Sequence, residues 1–180
     1  VVLERSEEVG VKTYKKTLPF QQVKHYKAVW DNLFNFSAGI LKAIVGYQQN
    51  RRQEYEESAD EYELFFKLHT VTYDVRYLTH EFDGWKLAVG VNGMWQQSKN
   101  LGEESLIPAY RLFDIGGYAT TSKSIGSWTL NGGLRYDHRH LDFHSRDFSG
   151  VTGSVGAVWN ATEQLNVRMN VARGFRAPTT

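Results

Sequence analysis

The sequence alternates between apolar and small or polar side chains over long stretches, and this period of two constrains the fold more than any other feature. From Trp85 to Trp95 the odd positions carry Trp, Leu, Val, Val, Gly and Trp, whereas most of the even positions between them are small or polar. The same alternation runs through residues 41–47, 71–77, 128–136, 151–159 and 165–171. Because successive side chains of a strand point to opposite faces, the pattern predicts extended strands with one apolar face.

Short and long connections alternate between these segments. We expect short turns near 36–39, 80–84, 122–127 and 160–164, and longer polar connections near 50–63, 97–110 and 140–150. This order predicts one all-β, antiparallel up-and-down domain over residues 1–180, with roughly nine long strands. Residues 1–17 are read as an edge strand or a loop. The faces of residues 20–34 and 110–121 are less regular, so we expect bulges or a parity slip there.

Composition excludes several classes of protein. The chain has 21 Lys and Arg against 20 Asp and Glu, and this balance argues against a nucleic-acid partner. It has no cysteine, which rules out disulfides, thiolate metal sites and cysteine nucleophiles. No apolar run approaches the roughly 18 residues of a membrane helix, and the N-terminal residues do not form a signal peptide.

The length of the segments and the placement of their aromatic residues favour a membrane β-barrel. Strands that span a bilayer need about 9–11 residues, whereas strands of soluble proteins usually have about 5–6. From Trp85 to Trp95, ten steps of about 3.3 Å tilted by about 40° span about 25 Å, the height of the apolar band of such a barrel. The predicted girdle residues, at the ends of the apolar band, are Trp85, Trp95, Trp128, Tyr136 and Trp159. A soluble β-sandwich or a lipocalin-like barrel with long hairpins is the alternative.

Several stretches resemble one family. VRMNVARGFRAPT, residues 167–179, is similar to the RGFRAP signature of the barrels of TonB-dependent outer-membrane receptors, and LNGGLRYDHRH, residues 130–140, is similar to the strand that often precedes it. AIVGYQQNRRQEYEE, residues 43–57, resembles members from Bacteroides-like bacteria. The resemblance implies an outer-membrane barrel segment that is incomplete relative to the family's barrel of about 22 strands.

The same resemblance implies a function and partners. Family members hold a plug domain in the barrel and use TonB to import a scarce ligand such as iron–siderophore, haem, cobalamin or a glycan. We find no plug domain and no TonB box in this sequence, and we expect the isolated segment to self-associate through its open sheet edges. The alternative function is that of a small outer-membrane β-barrel with a structural or adhesive role.

The polar positions of the late strands are the candidate functional residues. We expect them to face the lumen or the plug, where charges avoid lipid. They are Arg135, Asp137, Asn166, Arg168, Asn170, Arg173 and Arg176.

Other candidate sites are weaker. His138 and His140, in the stretch 137–144, suggest a metal site, but a solvated strand end is the favoured interpretation and no metal or cofactor is expected. The charged segment around Arg51 and Arg52 is interpreted as a solvated loop, with contact to ligand or lipopolysaccharide as the functional alternative. No serine, histidine and acid project together as a hydrolase would need, so we expect no enzymatic activity.

Overall fold

The computed structural model describes residues 18–102, 108–142 and 145–176, which form eight β-strands. Their bounds are β1 Phe20–Phe36, β2 Gly39–Tyr55, β3 Leu64–Thr79, β4 Trp85–Asn100, β5 Tyr110–Ile125, β6 Trp128–Leu141, β7 Arg146–Asn160 and β8 Asn166–Arg173. All pairs are antiparallel, and the strands lie in sequence order in one sheet. The predicted all-β meander is therefore confirmed. The ninth expected strand, in residues 1–17, lies outside the described residues.

The register divides the side chains into two faces. Residues directly opposite each other in an antiparallel pair share a face. One row joins Val75, Val91 and Gly117, and belongs to the face of Trp85, Leu87 and Val89, here called the apolar face. The neighbouring row joins Asp74, Asn92, Gly116 and Asp137, and belongs to the polar face.

The apolar face is open to its surroundings and is not packed into a core. Val89 is 50% exposed, Leu134 is 67% exposed and Val171 is 79% exposed. Among the described residues, no large side chain is fully buried. A soluble sandwich or lipocalin would bury these rows between sheets or inside a closed barrel. The structure instead leaves them exposed on one face of a single open sheet, so the described part of the chain forms neither a sandwich nor a closed barrel.

The strands are longer and more regular than expected. β1 pairs with β2 without interruption from Phe20 to Phe36, and β5 is equally continuous with both neighbours. Neither the expected bulges nor a parity slip occurs in these two strands, and that prediction was wrong. The backbone hydrogen bonds keep the register even where the side-chain pattern weakens. The connection predicted at 140–150 shrinks to 142–145, because β6 and β7 extend into it.

Two tight turns set the register at one end of the sheet. Asp83 and Gly84, with φ of 47° and 71°, join Phe82 to Trp85 as a two-residue hairpin loop. Positive φ at both central residues defines a type I′ turn, which Asp-Gly favours. Gly126, with φ of 57°, begins the two-residue loop between β5 and β6.

No helix in the described residues is long and apolar enough to cross a bilayer.

Candidate functional site

An arginine–aspartate pair occupies the centre of the polar face. Arg135 in β6 donates from Nε to both carboxylate oxygens of Asp137, at 2.9 and 2.8 Å. Its Nη2 donates to Asn92 Oδ1 in β4, at 2.8 Å, and so bridges across β5. The bridge passes over Gly116, whose missing side chain leaves room for the Arg135 guanidinium and the Asp137 carboxylate. A glycine in β5 thus allows residues of two non-adjacent strands to meet.

A second ion pair lies beside the first. Arg139 donates from Nε and Nη2 to the two carboxylate oxygens of Asp114, each at 2.7 Å, in a two-pronged arrangement that holds both side chains in place. Both side chains are about one-fifth exposed. Toward β3, Asp74 Oδ1 and Arg76 Nε are buried and lack a hydrogen-bond partner, with 3.8 Å between them. The polar face therefore carries polar atoms that the described residues do not satisfy.

Aromatic side chains cover glycines on both faces. On the polar face, Tyr118 lies over Gly90 and Phe175 lies over Gly150. On the apolar face, Tyr73 lies over Gly93 and donates from its hydroxyl to the backbone carbonyl of Asp114, at 3.0 Å. A ring packed over a glycine fills the space of the missing side chain and pins the register of the strands. Phe175, in the segment that follows β8, therefore packs on the polar face.

A trough of about 710 Å³ runs along the polar face between these groups. Asp74, Asn92, Asp114, Arg135, Asp137 and Arg139 line it, together with Phe175 and Arg176. Its charged side chains are mostly paired with each other, so the surface suits a polar occupant that hydrogen-bonds to ion pairs. No group of three His, Cys, Asp or Glu side chains that could hold a metal ion occurs in the described residues.

The predicted lumen residues are not all brought together. Arg135 and Asp137 are central, and Arg176 lines the same trough. Asn166, Arg168 and Asn170 lie on the polar face of β8, away from the trough. Arg173 pairs with Gly153, which pairs with Leu134, so it lies on the apolar face. Its placement with the lumen residues was wrong, because Arg173 differs in parity from Asn166, Arg168 and Asn170.

The predicted girdle and histidine residues all lie on the apolar face. The girdle residues all occupy apolar-face positions: Trp85, Trp128 and Trp159 lie at or next to strand ends, whereas Trp95 and Tyr136 lie five residues inside β4 and β6. The rings of Trp128 and Trp159 stack at 5.5 Å. His140 Nδ1 lies 2.7 Å from Asp147 Oδ1, and His138 Nε2 lies 3.7 Å from the same oxygen. Phe143 and His144 of the same stretch lie outside the described residues.

The sequence analysis missed several residues of the site. Asn92, Asp114, Arg139 and Tyr118 were not selected, although each shares the parity of a predicted neighbour. The alternation Arg135, Asp137, Arg139 in β6 was the available signal. Arg51 and Arg52, interpreted as part of a loop, lie in β2, where Arg52 Nη2 pairs with Glu54 Oε1 at 2.5 Å. That interpretation was wrong, because β2 continues as far as Tyr55.

Comparison with known proteins gives the family. Residues 11–180 match the family described as TonB dependent receptor-like, beta-barrel. The chain belongs to the TonB-dependent receptor-like β-barrel family. Members are outer-membrane proteins of Gram-negative bacteria, which gives the location of this barrel segment. No curated protein is significantly similar to the receptor segment in sequence.

Solved structures share the fold of this receptor segment. The apoprotein form of the FrpB iron transporter from Neisseria meningitidis (F5-1 variant) superposes with a TM-score of 0.75 at 16% identity, over 94% of this chain and 32% of that chain. The F3-3 variant gives 0.71 at 16% identity, over 84% and 28%. The unliganded ferric citrate transporter FecA gives 0.50 at 14% identity, over 83% and 27%. The segment thus spans about a third of the FrpB chain or less.

Proposed function

We propose that this chain forms part of the barrel wall of a TonB-dependent receptor that imports a scarce ligand across the outer membrane. The observation that carries the proposal is the division of one sheet into an exposed apolar face and a face built around two ion pairs. An exposed apolar face is suited to contact with lipid. A face that carries ion pairs is suited to a lumen filled by water or by a plug domain. The chain itself performs no catalysis in this proposal.

The polar face is proposed to hold the plug domain of the intact receptor. The trough is lined by paired charges, and Asp74 Oδ1 and Arg76 Nε form an ion pair at 3.8 Å but have no hydrogen-bond partner. A plug segment that supplies donors and acceptors would satisfy these atoms, and buried polar groups without partners are costly. Arg135, Asp137 and Arg176 are therefore proposed as plug contacts, and Asn166, Arg168 and Asn170 as lumen-facing residues nearer to the next strand.

The ligand is proposed to be an iron complex. FrpB and FecA are named as an iron transporter and a ferric citrate transporter, and haem, cobalamin and glycans are the remaining ligand classes. The test is uptake of radiolabelled iron chelates by cells that produce the intact receptor, compared with cells that lack the gene and with cells that lack TonB. Uptake lost in both strains supports the proposal. Uptake that persists without TonB contradicts it.

The plug contact has its own test. In the intact receptor, replacement of Arg135 and Asp137 together by alanine is expected to loosen the plug and to raise the ion conductance of the receptor in planar bilayers. Lys86→Ala is the matched control, since Lys86 lies on the polar face away from the trough and pairs with Glu81. Unchanged conductance in the double variant would argue against a plug contact at this pair.

The small-barrel alternative is less well supported. An independent small barrel needs its first and last strands to pair. Among the described residues, β1 pairs with β2 alone and β8 pairs with β7 alone, so this sheet is open. The family's larger barrel accommodates such a sheet as one sector of its wall.

A further inference from the structure

Four cations lie opposite one another in one row of the apolar face. Lys24 pairs with Arg51, Arg51 pairs with Lys67, and Lys67 pairs with Lys99. These four residues, here called the cationic row, belong to β1, β2, β3 and β4. Adjacent strands are about 4.8 Å apart, so the row extends for about 15 Å across the sheet. Arg111 lies one position nearer the centre of the same face in β5, because it pairs with Gln97.

The cationic row lies at the end of the sheet that carries the long connections, beyond the aromatic residues of the apolar face. Tyr47 and Trp95 share one row of the apolar face through Val71, and the cationic row lies four residues further along. Four residues of a strand tilted by about 40° rise by about 10 Å. In outer-membrane barrels the long connections are extracellular, and aromatic girdles mark the membrane interface. The cationic row therefore lies at the level of the outer-leaflet headgroups, within reach of long side chains.

No acidic residue of β1 to β5 lies on the same face as these charges. The acidic residues of β1 to β5 are Asp31, Glu54, Asp74 and Asp114, and the register places all of them on the polar face. The row's immediate neighbours on the apolar face are glutamine, tyrosine, phenylalanine and histidine. Arg51 lies over the ring of Phe65 at 5.3 Å, and its Nε is buried without a hydrogen-bond partner.

Such a row is unfavourable unless an anion binds to it. Like charges directly opposite each other across a strand pair destabilise a sheet. Anionic lipid headgroups attract lysine and arginine side chains near a membrane surface. We propose that the cationic row, with Arg111, binds the phosphate groups of the outer-leaflet glycolipid, lipopolysaccharide. The proposal rests on the outward orientation of the apolar face and not on the identity of the imported ligand.

The test uses the intact receptor, purified free of lipopolysaccharide. Binding is measured for bisphosphorylated lipid A and for the same glycolipid after enzymatic removal of its phosphates, each at low and high salt. We expect the phosphorylated lipid to bind at least about tenfold more tightly, because several lysine and arginine charges contribute, and to weaken as salt is raised. Equal affinity for the two lipids overturns the proposal, and this comparison needs no variant.

Variants locate the site. Lys24→Gln, Arg51→Gln, Lys67→Gln and Lys99→Gln are combined in one receptor, and Lys27→Gln, Lys42→Gln and Lys86→Gln are combined in a control that removes cations of the polar face. We expect the first variant to lose the preference for phosphorylated lipid and the control to keep it. Loss of the preference in the control alone, or in neither variant, overturns the assignment to this row. An acidic peptide that binds the row while lipid A does not would indicate a protein partner and would also overturn the proposal.

The outcome is separable from that of the proposed import. A receptor that takes up an iron complex but binds both lipids equally retains its proposed function and loses the lipid site. A receptor that prefers phosphorylated lipid A but takes up no iron complex retains the lipid site and needs a different ligand.

Discussion

At the residue scale, the parity of a position decides what its side chain meets. Val89 and Ala88 are neighbours in β4, yet Val89 shares a row with Tyr77 and Ala119 on the apolar face, whereas Ala88 shares a row with Leu78 and Thr120 on the polar face. In a barrel wall they border lipid and lumen, so the same substitution has different costs.

An arginine introduced at each of these positions measures this difference. In the intact receptor in phospholipid vesicles, Val89→Arg is expected to lower the free energy of unfolding by about 2–4 kcal/mol, because a guanidinium near the midplane faces lipid. Ala88→Arg is expected to lower it much less. Denaturant titrations followed by tryptophan fluorescence give both values, and similar losses would contradict the assignment of faces.

Two glycines of the apolar face differ in the space around them. A side chain at Gly93 would meet the backbone carbonyl of Asp114 and the ring of Tyr73, whereas at Gly117 the nearest atom is 4.0 Å away. Gly93→Ala is expected to destabilise by about 1–3 kcal/mol, as overpacking does elsewhere. Gly117→Ala is expected to be neutral or slightly stabilising. The same unfolding titration tests the pair, and a tolerated Gly93→Ala would show that Tyr73 does not rest on Gly93.

At the element scale, the hairpins carry the register of the sheet. The Asp83–Gly84 turn fixes the start of β4, and Gly84 also approaches the neighbouring hairpin, since Ser124 donates its backbone N–H to the Gly84 carbonyl at 3.0 Å. A register shift of one residue would exchange the apolar and polar faces of a strand. The turns at this end therefore maintain the separation of the apolar and polar faces.

Two glycines in turns allow the cost of backbone strain to be measured separately from the cost of steric crowding. Gly126 has open space around it. Gly126→Ala is therefore expected to lower the free energy of unfolding by about 1–2 kcal/mol, the cost of placing an alanine in the left-handed backbone region. Gly84→Ala is expected to cost more, because its side chain would also lie 2.8 Å from the Ser124 carbonyl oxygen. Comparison of unfolding midpoints of the two variants tests this order. A larger loss for Gly126→Ala than for Gly84→Ala would contradict the close contact between Gly84 and Ser124.

At the scale of the whole molecule, the eight strands form one sector of a wall. Short turns lie at one end of the sheet and the connections of residues 56–63 and 101–109 at the other. In outer-membrane barrels the short turns face the periplasm and the long connections face the exterior. This orientation also places the cationic row in the outer leaflet.

The orientation is testable because this segment contains no native cysteine. In intact cells, Glu61→Cys in the connection between β2 and β3 is expected to react with a membrane-impermeant maleimide. Ser127→Cys, in the turn between β5 and β6, is expected to react only after the outer membrane is permeabilised. Both side chains are exposed, so unequal access reflects the side of the membrane. Immediate labelling of Ser127→Cys would reverse the orientation.

The sequence predicts features that depend on residues close together in the chain, whereas contacts between distant residues require the tertiary structure. The alternation of side chains is local, and it was sufficient to predict the strands, their antiparallel order, the apolar face and four turns near their observed places. The resemblance of RGFRAP to the receptor family was also available from the sequence, and the family match agrees with it. The ends of the strands could not be predicted as accurately from the sequence, because polar residues such as Asn50 and His140 can continue a strand as readily as they end one.

The contacts between strands were decided only by the tertiary structure. The bridge from Arg135 to Asn92 joins β6 to β4, and its existence depends on the register of β5, which places Gly116 between them. The cationic row depends on three successive registers. A sequence of alternating residues specifies which side chains share a face within one strand. Only backbone pairing determines which side chains meet across strands, since it sets their relative position along the strand.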